Sequence, residues 1–121
     1  MGKKVKVASM HWNAGGHAPV ESLPISLNEG VYQGKMIGFK LNISNCTNAI
    51  NVVLQLKDSD GDVIYTSAGQ AKGGVRIVMG LDMPLVEKEK VVLDPDGDPG
   101  ASGLDVTNIT IYYHPDVITM R

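Results

Sequence analysis

Several features that define specialised protein classes are scarce in this sequence. Cys46 is the single cysteine among 121 residues, so no disulfide can form within the chain. No stretch approaches the roughly 20 apolar residues of a membrane span, and we predict no membrane partner. The formal net charge of −2 provides no electrostatic attraction to nucleic acid. These absences argue against disulfide-stapled, membrane-spanning and nucleic-acid-binding proteins.

Positive charge is concentrated at the amino end, in the short cluster Lys3-Lys4-Val5-Lys6. A solvated strand face is the favoured interpretation, and a contact to an acidic partner is the alternative. No apolar run of signal-peptide length follows this cluster, so we predict synthesis in the cytoplasm without a signal peptide.

The clearest positive feature is an alternating row near the end of the sequence, where Ile109, Ile111 and Tyr113 are separated by single polar or amphipathic residues. Side chains of a β-strand point to opposite faces in turn, so this pattern predicts a strand with one buried row. Similar segments recur between turn-forming clusters and predict about seven or eight short strands. They lie near residues 4–12, 35–44, 50–57, 63–66, 75–79, 90–93 and 104–113. We predict an all-β fold, a single antiparallel β-sandwich of Ig-like or jelly-roll-like type.

Two segments lack a sustained period. Residues 13–34 contain Pro19, Pro24 and several glycines, and are predicted to form an irregular arm or loop with one short edge strand at most. Residues 114–121 begin with His114-Pro115 and are predicted to form an extended tail. The length of the chain predicts one domain over residues 1–121.

Two acidic loops share the form D-x-D-G-D and are the candidates for a metal site. Carboxylates at alternate loop positions are ligands that calcium favours, but the EF-hand positions of glycine and glutamate are not matched. Aspartate and glycine are also ordinary hairpin residues, so turns are the favoured interpretation and no metal is predicted. The weak calcium candidates are Asp58, Asp60, Asp62, Asp94, Asp96 and Asp98.

No motif predicts catalysis. Cys46 lies in an Asn/Thr turn without a histidine near it in sequence, and His11, His17 and His114 belong to no nucleophile motif. The glycine-rich segment 69–74 does not match a phosphate-binding loop. We therefore predict no catalytic residues, no cofactor and no enzyme activity.

Contact residues are predicted among the few aromatic side chains. Phe39 and Tyr113 fall on core rows, which leaves Trp12, Tyr32 and Tyr112 as possible surface residues. Together with His17 these three are the protein-contact candidates. Exposed aromatic rings also stack on sugars, so a carbohydrate-binding or adhesion module remains the alternative function.

The succession of strand, polar turn, strand, acidic hairpin and strand over Lys35–Tyr65 resembles small β-sandwich proteins on virus particles. So does the segment Asp96–Tyr113, where a glycine-rich turn leads into a strand. Together they are similar to the capsid decoration, or cement, proteins of tailed bacteriophages. The resemblance implies a structural virion protein without cofactor or catalytic residues, which binds the major capsid protein or another repeating surface. It also implies a homo-oligomer, with a trimer as one arrangement.

Overall fold

The computed structural model describes residues 3–27 and 33–115. These residues form ten β-strands and contain no helix, which confirms the all-β prediction. The strands are β1 (Lys3–Val7), β2 (Met10–Trp12), β3 (Val20–Glu21), β4 (Gln33–Ile43), β5 (Asn51–Lys57), β6 (Val63–Thr66), β7 (Gln70–Ala71), β8 (Gly74–Val86), β9 (Lys90–Pro95) and β10 (Leu104–Pro115). The count exceeds seven or eight because β2, β3 and β7 have only two or three residues each, too few for a recognisable alternation.

The strands form two antiparallel sheets that pack as a sandwich. The first sheet has the order β1-β10-β4-β8, and β2 also pairs with β10. The second sheet has the order β3-β9-β5-β6, and β7 also pairs with β5. The chain crosses between the sheets after β2, β3, β4, β7, β8 and β9, so the buried faces come from strands distant in sequence.

The core lies between the two sheets and consists of the alternating rows. In β5, Val52, Leu54 and Leu56 are buried while the residues between them are partly or fully exposed, as the sequence predicts. In β10, Ile109, Ile111 and Tyr113 form the buried row, and Thr110 on the other face is buried as well. Each Å² of apolar surface that such rows bury stabilises the fold by about 25 cal/mol. This is the main favourable contribution of the rows to the free energy of folding.

In the first sheet, β10 and the neighbouring β1–β2 segment each reverse which set of alternate side chains points to the core. The two reversals lie side by side in the sheet. In β10 the buried residues are Val106 and then Ile109, an odd spacing that reverses the faces. Asn108 lies between them with a φ of 51°, and the pairing with β4 contains one extra residue here. On the other side of β10 the buried residues are Val5 in β1 and Met10 in β2, again an odd spacing that reverses the faces. A β-bulge of this kind lets both strands keep apolar side chains inside.

Two predicted segments differ in detail from the structure. In β4 the buried residue is Met36 and Ile37 is half-exposed, because the pairing with β8 is irregular between Met36 and Gly38. β4 begins at Gln33, inside the predicted arm, and β10 continues through Pro115, inside the predicted tail. The rest of the predicted arm and tail lies outside the described residues, namely 28–32, which includes Tyr32, and 116–121.

Candidate protein interface

The described part of the arm, residues 13–27, runs along β9 as an edge of the second sheet. The Ser22 amide donates a hydrogen bond to the carbonyl oxygen of Val91 (2.8 Å), and the Ile25 amide donates to that of Glu89 (2.9 Å). Between these two bonds the arm has one residue more than β9, so the arm bulges outward. Leu23 lies on the bulge and is 85% exposed, more than any other large apolar side chain described.

Apolar contacts hold the arm on both sides of this bulge. Ile25 and Leu27 are buried in the common core, and the Leu27 amide donates to the Glu87 carboxylate at 3.1 Å. At the start of the arm, the indole Nε1 of Trp12 donates to the carbonyl oxygen of Ala18 at 2.7 Å. The arm is therefore part of the folded body, and Leu23 is presented from a fixed backbone.

An ion-pair cluster fastens the short strand β3. The Glu21 carboxylate lies 2.7 Å from the ammonium of Lys57 and 3.7 Å from that of Lys90. The hydrogen bond and charge of Lys57, with a smaller contribution from Lys90, lower the pKa of Glu21 below its ordinary value. Because these groups are exposed, we assign the cluster a positioning role and little stability.

A groove of about 310 Å³ separates the arm from β1. Its walls are Val5–Ala8 of the first sheet and Ser22–Ser26 of the arm. The exposed Lys6 of β1 lines one wall of this groove, while Leu23 lines the other. The groove therefore combines apolar surface with positive charge.

The predicted contact residues occupy different environments. Trp12 is only 4% exposed, so its ring is not available to a partner protein or a sugar; it packs in the core because the strands change face before Met10. His17 is exposed on the arm. Tyr112 is half-buried on the outer face of the first sheet, where its neighbours across the strands are Lys4 and Gly38. The described structure does not bring Trp12, His17 and Tyr112 into one site.

Two of the six loop aspartates, Asp58 and Asp98, cap turns, and Asp96 binds the first residue of β5. Asp58 Oδ1 accepts hydrogen bonds from the backbone amides of residues 60 and 62 at 3.0 and 2.9 Å. Asp96 Oδ1 accepts from the Asn51 amide (2.9 Å), and Asp98 Oδ1 accepts from the Gly100 amide (2.7 Å). Within 3–27 and 33–115, no three His, Cys, Asp or Glu side chains form a group suited to a metal ion. The hairpin interpretation accounts for these capping contacts.

His11 and Asp105 form an exposed pair between β2 and β10. Nδ1 of His11 lies 2.6 Å from Asp105 Oδ1, and Nε2 lies 3.0 Å from Asn13 Oδ1. The hydrogen bond to Asp105, followed by that to Asn13, raises the pKa of His11 above its ordinary value. Both ring nitrogens therefore face side-chain oxygens, and neither faces a nucleophile.

A second cavity of about 180 Å³ lies at the side of the sandwich, lined by Pro84, Val86 and three acidic residues. One of these, Glu89, is 2% exposed, and its Oε1 accepts a hydrogen bond from the Val86 amide. Its Oε2 has no hydrogen-bond partner among the described residues. Burial, and secondarily the charge of Asp58, raise the pKa of Glu89 above its ordinary value.

The residues that sequence reasoning missed are exposed apolar ones. Leu23 precedes a proline, and Ile25 and Leu27 follow it at a spacing of two, so nothing in the sequence marked Leu23 as the exposed member. Val75, Ile77 and Met79 were recognised as a strand row, but their exposure was not foreseen.

Comparison with known proteins identifies a fold and no family. No protein-family model matches the sequence, and no curated protein is significantly similar to it. The crystal structure of FLHE aligns with a TM-score of 0.50 and 16% identity, over 93% of this chain and 95% of that chain. The tobacco streak virus coat protein aligns at 0.47 and 14%, over 99% of this chain and 90% of its own. A chain of infectious bursal disease virus, Gt strain, aligns at 0.48 and 10%, over 93% of this chain and 32% of its own.

The alignment with FLHE supports the sandwich architecture and nothing finer. The described residues include no helix long and apolar enough to cross a membrane.

Proposed function

We propose that this protein is a non-enzymatic structural component of a virus particle, located in the virion, which binds and stabilises a repeating capsid surface. The observation that carries the proposal is the arm: it is held to the core on both sides of Leu23 and yet exposes that side chain by 85%. The resemblance of the sequence to capsid decoration proteins is the reason for choosing a virus particle over other assemblies.

Binding to a capsid surface requires that the contact residue, Leu23, is held on a rigid backbone. Binding through a preformed loop avoids the ordering entropy that a flexible segment would lose, so a small apolar anchor contributes more to affinity. Many identical weak sites on a shell are then occupied by many copies of the chain. The groove beside Leu23 accepts apolar surface from the partner, and Lys6 in its wall favours an acidic group of the partner.

The proposal is tested by co-sedimentation with particles. Gene order identifies the shell to use, because the proposal predicts capsid, portal or terminase genes beside this one. The purified chain is mixed with shells of that capsid protein, and bound chains are counted after centrifugation. We expect saturable binding with a fixed number of chains per capsomer. Absence of binding to these shells would contradict the proposal.

A pair of variants assigns the contact to the arm. Leu23→Asp places a charge on the exposed bulge and is expected to reduce binding at least tenfold while leaving the circular dichroism spectrum unchanged. Val63→Asp is the matched control, because Val63 is another exposed apolar residue and lies on β6, outside the arm. Equal binding by both variants would show that the arm is not the contact.

A further inference from the structure

The long strand β8 is an unguarded edge of the first sheet. It has 13 residues and pairs with β4 on one side, and no described strand pairs with its other side. The opposite edge, β1, has five residues with three exposed lysines, and the edge strands β3 and β6 of the second sheet have two and four residues. Short length and lysine are common protections against edge-to-edge pairing, and β8 has neither.

The first half of β8 also presents an apolar row. Val75, Ile77 and Met79 are 55%, 59% and 53% exposed on the outer face of the sheet. The charged side chain among them, Arg76, alternates with this row and is turned back onto its own chain. Its guanidinium donates to the carbonyl oxygens of Ala71 (2.8 Å) and Lys72 (3.0 Å). The charge therefore does not protect the edge.

We infer that β8 pairs with β8 of a second copy of this chain, antiparallel and centred on Ile77. A two-fold axis at that position places Ile77 opposite its counterpart, and Val75 opposite Met79 of the partner copy. Backbone hydrogen bonds then join the two first sheets into one continuous sheet, with the six exposed apolar side chains in one cluster. Cross-strand apolar pairs of this type stabilise antiparallel sheets.

Charge placement favours this register. With Ile77 at the centre, each Arg76 lies opposite Val78 of the other copy, so no like charges meet. An axis at Arg76 would place two guanidinium groups opposite each other, which is unfavourable. Lys40 pairs with Ile77 within the sheet, so two copies of Lys40 are separated by three strand spacings, roughly 14 Å. That distance exceeds the screening length of about 8 Å at physiological salt.

The second half of β8 limits the length of the pairing. Gly80 has a φ of 84°, and β8 has two extra residues between the pairs Met36–Met83 and Gly38–Met79. The irregular backbone interrupts the edge after Met79. Self-pairing centred on Ile77 is therefore confined to residues 75–79, which predicts a weak, concentration-dependent dimer.

Disulfide trapping tests the register directly. Residues opposite each other in an antiparallel pair have Cα atoms roughly 4.5–5.5 Å apart, within disulfide range. Ile77→Cys is therefore expected to give a covalent dimer under mild oxidation. In Val75→Cys the two cysteines would lie about 14 Å apart along the strands, and no dimer should form. Equal trapping of both variants, or trapping of neither, would overturn the inference.

Sedimentation velocity tests the dimer without cross-linking. The wild-type average mass should rise with concentration toward twice that of the chain, whereas Ile77→Asp should remain monomeric. Leu23→Asp is the control and should dimerise as wild type. A wild-type chain that stays monomeric at about 1 mM, or that forms trimers, would contradict the inference.

The inference goes beyond the proposed function and fails separately from it. Dimerisation is measured on the purified chain with no shell present. Loss of shell binding in Leu23→Asp concerns the arm, and loss of the dimer in Ile77→Asp concerns the edge.

Discussion

The indole Nε1 of Trp12 donates a hydrogen bond to the carbonyl oxygen of Ala18, at 2.7 Å. This bond closes the loop that leads from β2 into the arm. Trp12 itself is buried in the core, so a side chain predicted to contact a partner instead fixes the segment that carries the candidate contact.

Replacing Trp12 by Phe keeps most of the apolar burial and removes this hydrogen bond. We expect a loss of about 1 kcal/mol in the free energy of unfolding. Cleavage by a nonspecific protease within residues 13–19 should become faster, because the loop is no longer tied to the core. Denaturant unfolding and mass mapping of the fragments measure both effects, and unchanged cleavage would contradict this role.

Asn108 allows the bulge that reverses the faces of β10. Its φ of 51° is unfavourable for most residues with a side chain, although Asn tolerates it better than most. Asn108→Val should destabilise the fold by about 1–2 kcal/mol, and Asn108→Gly should be neutral or stabilising. The side chain is exposed, so little burial is lost in either variant. A Gly variant as unstable as the Val variant would contradict this explanation.

Buried Glu89 predicts a pH-dependent loss of stability. Its pKa is raised in the folded state, so the unfolded chain ionises first as the pH rises above about 4.5. The contribution of Glu89 to the free energy of unfolding is therefore most favourable below about pH 4.5, and it falls as the pH rises through the pKa of the folded state. Glu89→Gln retains an oxygen for the Val86 amide and removes the charge.

We expect Glu89→Gln to melt at a higher temperature than wild type at pH 7, with the difference vanishing toward pH 4. Thermal unfolding monitored by circular dichroism at several pH values provides the measurement. A variant that is less stable than wild type at pH 7 would show that the carboxylate is stabilised by its surroundings.

The pair of His11 and Asp105 also predicts a contribution to stability that is lost as the pH rises, here from a group that is charged at low pH. The pKa of His11 is raised in the folded state. Its contribution to the free energy of unfolding is therefore complete below the ordinary pKa of about 6.5, and it is lost as the pH rises through the folded pKa. In Asp105→Asn the pKa of His11 should fall toward its ordinary value. Proton NMR titration of the His11 imidazole resonances in wild type and variant measures it. An unchanged His11 pKa would contradict the assigned cause.

Alternation in the sequence predicted the strands well where only one row is apolar. In β5, Val52, Leu54 and Leu56 are set against mostly polar neighbours, so the inward face is unambiguous. In β8 the period is equally clear, but the apolar row is exposed, because Arg76 and Val78 pair with the buried Leu41 and Phe39 and so take the inner face. A period of two locates a strand without stating which row is buried.

The arm was harder to predict because its structure depends on contacts distant in sequence. The burial of Ile25 and Leu27 results from bonds to residues some 60 positions later. The same holds for Leu23, whose exposure arises from one extra residue opposite β9. Local pattern carries no information about such pairings.

Hydrogen exchange of the chain bound to shells tests the account's central claim, that the arm side of the sandwich contacts the particle. Amide exchange is compared between the free chain and the chain bound to shells of the neighbouring capsid protein. We expect slower exchange on binding within residues 3–8 and 20–27. Protection confined to other strands, with the arm exchanging as in the free protein, would contradict the account.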